Sequence, residues 1–151
     1  MSNHAGGNIA ETVAIIATID PDAYGTGDQN TDAIDMRYWR EVAFVVMAGD
    51  LGSSATLDFV VNGDTASGGS YATAITGKSI TQLTQAGTDS DKQVVVRVTA
   101  EEVAAQSLRY IRGTMSIGAA SSDCAVVVLG YGARYQPAEN FDLATVDEIK
   151  H

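Results

Sequence analysis

Cysteine is nearly absent. Cys124 is the single one in 151 residues, so no intramolecular disulfide can form and no cysteine-based zinc site can be assembled. It stands in the apolar run Cys124-Ala125-Val126-Val127-Val128-Leu129, the setting of a buried, unreactive thiol. Proline is almost as scarce, two residues against 15 glycines, a balance that favours short strands joined by tight turns. Basic residues number nine against 19 acidic ones, for a formal net charge of −10. Phosphate backbones repel such a surface unless its cations gather into a stripe, and the closest grouping here is Arg109 with Arg112. Nucleic acid and anionic membrane are therefore not expected partners. No apolar run approaches the roughly 20 residues that span a bilayer. Met1 to Asn8 shows no basic segment followed by an apolar one, so no signal peptide is expected. The expectation is a soluble protein made in a cytoplasm.

Residues that perform chemistry are missing too. His4 and His151, the two histidines, lie near the ends of the chain, where neither is held as a fixed general base. No glycine-rich phosphate loop precedes a Lys-Ser/Thr pair. The acidic stretch Asp20 to Asp28 matches a calcium loop at Asp20, Asp22, Gly25 and Asp28. Tyr24 occupies the fifth position, however, and Thr31 the twelfth, where a bidentate glutamate is required. A solvated turn is the expectation, with no metal and no cofactor. Glu101 and Glu102 read as helix-capping groups rather than a hydrolytic pair. Tyr24, Tyr71, Tyr110 and Tyr135, if exposed on one sheet face, would form a sugar-binding platform; tyrosine packing within a sandwich explains them as well. No enzyme is expected.

What is present is strand pattern. The chain is 45% hydrophobic and 19% charged, the balance of a globular domain. Val42 to Ala48 is apolar throughout, as a strand covered on both faces would be. In Ala55 to Val61, Leu57, Phe59 and Val61 share one face and Thr56, Asp58 and Val60 the other. The glycine-containing break Gly49 to Ser54 between them predicts a long hairpin. Glu11 to Ile19 forms a first strand with Val13, Ile15, Ala17 and Ile19 inward, and Ile34 to Met36 a short second one. Trp39, the only tryptophan, is expected to cap an open end of the core. Asn62 to Ser70 reads as an exposed mobile loop, and Tyr71 to Ile75 and Lys78 to Leu83 as weaker strands. Gln93 to Val98, Arg109 to Ile117 and Cys124 to Tyr131 are strong strands. Thr99 and Glu102 have capping-box spacing, predicting one short helix.

Seven to nine strands without alternating long helices predict an all-β fold: an antiparallel two-sheet sandwich, jelly-roll-like, with extended terminal arms. The expected division is an N-terminal arm over 1–10, the sandwich over 11–131 and a C-terminal arm over 132–151. Leu57, Phe59, Val94, Val96, Ile111, Val126 and Val128 form the expected core. The C-terminal arm carries Tyr135, Pro137, Phe141, Leu143, Val146 and Ile149, too apolar for a tail left in water. These six are the candidate partner-binding residues. The arm is expected to lie across a neighbouring subunit or a partner protein, the alternative being that it folds back over its own sandwich.

Several segments carry a resemblance: Ala17 to Asp22, Ile34-Asp35-Met36, Phe44 to Gly49, Ile75 to Leu83, Tyr110-Ile111-Arg112, Val127 to Gly130, Tyr135-Gln136-Pro137 and Asp142 to Glu148. With them the chain resembles small proteins encoded among the virion structural genes of tailed bacteriophages, which look like capsid decoration, or cement, proteins. The resemblance implies a β-sandwich on the outer capsid surface of the virion, bound to the major capsid protein and reinforcing the lattice as a homo-oligomer. The alternatives are a head–tail or tail component of the phage and a carbohydrate-binding module.

Overall fold

The computed structural model describes residues 7–151. His4 and most of the expected N-terminal arm lie outside them. The described chain opens instead with a single helical turn, α1 (Ile9–Thr12), closed by a capping box in which Asn8 and Glu11 satisfy each other's backbone donors.

Ten strands follow, with one further helix between them. They are β1 (Val13–Tyr24), β2 (Gly27–Asn30), β3 (Ile34–Asp35), β4 (Trp39–Ala48), β5 (Thr56–Asp64), β6 (Thr73–Ser79), β7 (Leu83–Thr84), β8 (Gln93–Thr99), β9 (Tyr110–Gly118) and β10 (Ser122–Ala133). The first sheet has the order β1-β10-β4-β8 and the second β2-β9-β5-β6, with short β3 on β9 and β7 on β5. Every pairing is antiparallel. Setting the two-residue strands β3 and β7 aside, the first, eighth, third and sixth strands make one sheet and the second, seventh, fourth and fifth the other. That interleaving is the jelly roll.

The stretch from Val42 to Val61 is not a hairpin. β4 and β5 belong to different sheets, and the break between them carries the chain across the end of the sandwich. It is anchored to the start of β10: Gly49 N–H donates to Asp123 O at 2.7 Å, Asp123 N–H to Asp50 O at 2.9 Å and Gly52 N–H to Ser122 Oγ at 3.1 Å. A side chain at Gly52 would come within 2.3 Å of Ser121 O, so the close approach requires glycine. Leu51 and Ala55 are buried at the crossing, and that burial takes the strands apart.

β1 also departs from its simple alternation. A register shift between Ile15 and Ala17, a β-bulge, turns Ile16 and Ala17 both inward and leaves Val13 and Ile15 on the outer face. The acidic stretch from Asp20 is mostly strand, the end of β1 and then β2, rather than loop. Asn62 to Ser70 is tied down as well: the Asp64 carboxylate accepts from the backbone of Ala66 and Tyr71, and Tyr71 is buried. The two weak strands after it are one strand, β6, and the two-residue β7.

Of the expected core, Leu57, Phe59, Val96, Ile111, Val126 and Val128 are buried, and Val94 is partly buried against them. The predicted short helix is α2 (Ala100–Ala105), with Thr99 Oγ1 accepting from Glu102 N–H at 3.2 Å and Glu102 Oε2 from Thr99 N–H at 2.9 Å.

The chain beyond the sandwich is not extended. β10 runs two residues past the expected boundary, to Ala133, and a 3-10 turn (Ala138–Phe141) folds back on the domain. Ala138 is fully buried, and the Phe141 ring stands edge-on to Trp39 at 5.6 Å. Leu143 N–H donates to Ile15 O at 2.9 Å, while Asp142 Oδ1 accepts from Ile15 N–H at 2.6 Å. β1 is a sheet edge with unpaired backbone groups, and the returning chain satisfies some of them.

Candidate interaction surface

The two sheets differ in what they show to water. On the second sheet the outward positions are largely polar. Asp28, Asn30, Thr56, Asp58, Asn62, Arg112, Thr114 and Ser116 stand outward, and hydrogen bonds link several of them: Ser116 donates to Asp28, Thr114 to Asn30 at 2.7 Å, and the neighbouring Gln82 to Asp58 at 2.7 Å. The first sheet is the opposite. Its outward residues, read across the strands, are Ala125–Met47–Gln93, then Thr18–Val127–Val45–Val95, then Ile15–Leu129–Ala43–Arg97. Tyr131 and Glu41 stand side by side one row further on.

No described element covers this face. Val95 is 62% exposed, Met47 44% and Tyr131 45%. Ile9 and Ile149, also exposed, flank β1 at the margin of the same face. Of the six large hydrophobic side chains exposed among the described residues, only Tyr135 lies outside this group. Contiguous exposed apolar surface of this kind makes the face the candidate interaction surface.

Charge is distributed along the face rather than over it. At one end Arg97 forks onto Glu41 (Nε to Oε2 3.0 Å), so that end is close to neutral. At the other a shallow depression of about 900 Å³ lies over Met47, Ala125 and Val127, edged by Asp20, Asp22, Asp91 and Asp123. Among the described residues no three His, Cys, Asp or Glu side chains are placed to hold a metal ion. Cys124, in the strand beneath, is buried, and its thiol is pushed up to about 11, chiefly by desolvation.

The six candidate residues of the C-terminal segment are not gathered into one site. Phe141 packs on Trp39 and Tyr38, and Leu143 and Pro137 are half-buried on the chain's own sandwich. Tyr135 remains 58% exposed beside Tyr38. Val146 and Ile149 line a small groove with Ile9, Val13 and Ile15, next to the apolar face. The tyrosines do not form a platform. Tyr71 is buried beneath the Arg112 guanidinium, Tyr24 and Tyr110 are half-buried at separate strand ends, and Tyr135 lies beyond β10. His151 stands in the exposed tail, 3.7 Å from Glu139.

The face escaped the pattern of the sequence because Val42 to Ala48 read as covered on both sides. Its signal was present: a strand apolar at every position inside a two-layer sandwich has one face left over.

No protein-family model matches the chain, and no curated protein sequence matches it. Among solved structures, 83% of the chain superposes on a chain from a structure of infectious bursal disease virus, Gx strain, at 12% identity and a TM-score of 0.44. A chain from the Gt strain of that virus gives 12% identity and a TM-score of 0.43. The matched region spans about a third of those chains, 34% and 33%. No described helix is long and apolar enough to cross a membrane.

Proposed function

We propose that this chain is a non-enzymatic structural protein of a virus particle, and that the apolar outer face of its first sheet is a docking surface used in its assembly. The more specific reading is a capsid decoration protein of a tailed bacteriophage that binds the major capsid protein on the outer surface and stabilises the lattice. The observation that carries the proposal is the outward row of Val127, Val45 and Val95, the first two half-buried and Val95 exposed, with exposed Met47 beside it. Leaving such a row in water costs about 25 cal/mol for each Å² of apolar surface, a cost that docking removes. The jelly roll serves capsid domains, lectins and cupins alike, so the architecture by itself assigns no activity. The resemblance of Ala17 to Asp22 and Ile75 to Leu83 to phage virion proteins points to the first of these. A sugar-binding reading has no tyrosine platform behind it.

The test is cosedimentation of the purified protein with tailed-phage capsid shells that lack it. Saturable binding at a fixed ratio to the major capsid protein, with a rise in the shells' melting temperature, is the expected result. Shells that neither bind the protein nor gain stability rule out the decoration role.

A further inference from the structure

We infer that the apolar face of the first sheet packs against the same face of a second copy of this chain, forming a two-fold dimer. The inference rests on the reading of that face as a docking surface and names its occupant. The reason is the relief of the face. Take the row Thr18–Val127–Val45–Val95 as the line of the two-fold axis, running across the strands. Each strand then lies over its own copy with its direction reversed, as an isologous interface requires.

The neighbouring rows become complementary. Met47 of one copy falls opposite Ala43 of the other, and Leu129 opposite Ala125. Large side chains meet small ones on both central strands, and sheet faces interdigitate on that pattern. On the outer strand Gln93 meets Arg97, polar against polar. Charge follows the same symmetry. Asp123 and Asp91 lie one row beyond Ala125 and Gln93, so the reversal carries Asp123 to the Tyr131 hydroxyl of the partner copy. The carboxylate clusters of two chains of charge −10 are thereby kept at opposite ends of the stack.

Size fits as well. Four strands ~4.8 Å apart, over the rows from Glu41 to Met47 at ~3.3 Å per residue, present a flat face on the order of 450 Å² per copy. Two copies bury on the order of 900 Å², the range of weak, reversible associations.

The experiment uses the full chain and Val95, whose exposure makes it tolerant of substitution and which faces its own copy across the axis. Sedimentation velocity at rising concentration should show wild-type monomer passing to dimer. Val95→Asp and Val95→Lys should each stay monomeric, with unchanged circular dichroism, because like charges then meet at the axis. An equimolar mixture of the two variants should dimerise again, as opposite charges meet there. A wild-type chain that stays monomeric, an oligomer that survives both single variants, or a mixture that fails to recover the dimer overturns the inference. A monomeric wild type that binds capsid shells, with Val95→Asp losing that binding, removes the second copy and leaves the docking role standing. A dimer of this design that ignores capsid shells keeps the second copy and removes the decoration role.

Discussion

The rings of Phe44 and Phe59 meet at 5.5 Å between centroids, tilted by 53°, although β4 and β5 share no backbone hydrogen-bond ladder. Fifteen positions apart in sequence, they face each other across the two layers. Gly113 lies beneath them: a methyl group at that position would come within 2.3 Å of Phe59 Cζ and 3.1 Å of Phe44 Cδ1. The centre of the sandwich is therefore two phenyl rings seated over a bare patch of β9 backbone.

That arrangement makes the effects of two substitutions interdependent. Phe59→Ala should cost about 3–5 kcal/mol by opening a cavity, and Gly113→Ala about 1–3 kcal/mol by overpacking. In the double variant the added methyl occupies part of the space the ring vacated, so urea denaturation should give a total below the sum. Strict additivity would mean that the ring does not sit on Gly113.

The C-terminal segment divides in two. Removing residues 137–151 uncovers Trp39 and frees the β1 edge at Ile15, and should lower the melting temperature measurably. Phe141→Ala alone should cost about 2 kcal/mol, less than the ~3–5 of a fully buried phenylalanine, because the ring is only half-covered. Removing residues 147–151 should leave the melting temperature nearly unchanged, since the Lys150–Glu148 pair is exposed, His151 only approaches the half-buried Glu139 at 3.7 Å, and such surface pairs contribute little. Equal melting temperatures for the two truncations would contradict the packing of Phe141 and Leu143.

Acid should weaken the fold in part through Asp35. Arg109 reaches both of its carboxylate oxygens, at 3.0 and 2.7 Å, and these bonds hold the carboxyl below its ordinary range. A carboxylate whose folded-state value is depressed contributes stability above its unfolded value and loses it as pH falls through the folded one. Urea midpoints should therefore drop as pH falls below about 4. Asp35→Asn should start from a lower midpoint at neutral pH and lose less on acidification. Asp89 and Glu102 are shifted the same way by Lys92 and by the Thr99 backbone N–H, so a residual slope should remain. An identical acid slope in wild type and variant would remove Asp35 from the account.

Cys124 supplies a probe of native packing. Its thiol is buried and its ionisation is pushed up to about 11, and the thiolate is the reacting form. At pH 8 a thiol reagent should label the native chain slowly and the urea-unfolded chain at once. Fast labelling under native conditions would show that β10 opens locally.

The strands were legible because an amphipathic strand writes its burial into alternate residues. Leu57 with Phe59 and Ile111 with Met115 declare their inward faces in sequence. The Thr99 to Glu102 cap was legible for a similar reason, being closed by residues three apart. Which strands pair was not written locally. The Gly49 to Ser54 break reads as a hairpin, yet its glycines serve contacts with Ser121 to Asp123, about seventy positions away. The bulge at Ile16 likewise arises in pairing with β10 and reverses the sense of Val13 and Ile15. The same limit governs the candidate site. An all-apolar run such as Val42 to Ala48 shows that both faces of a strand avoid polar groups, because side-chain chemistry is local. Which face the second layer covers is set by the order of strands in space, and only the folded chain leaves Val45, Met47 and Val95 on the outside.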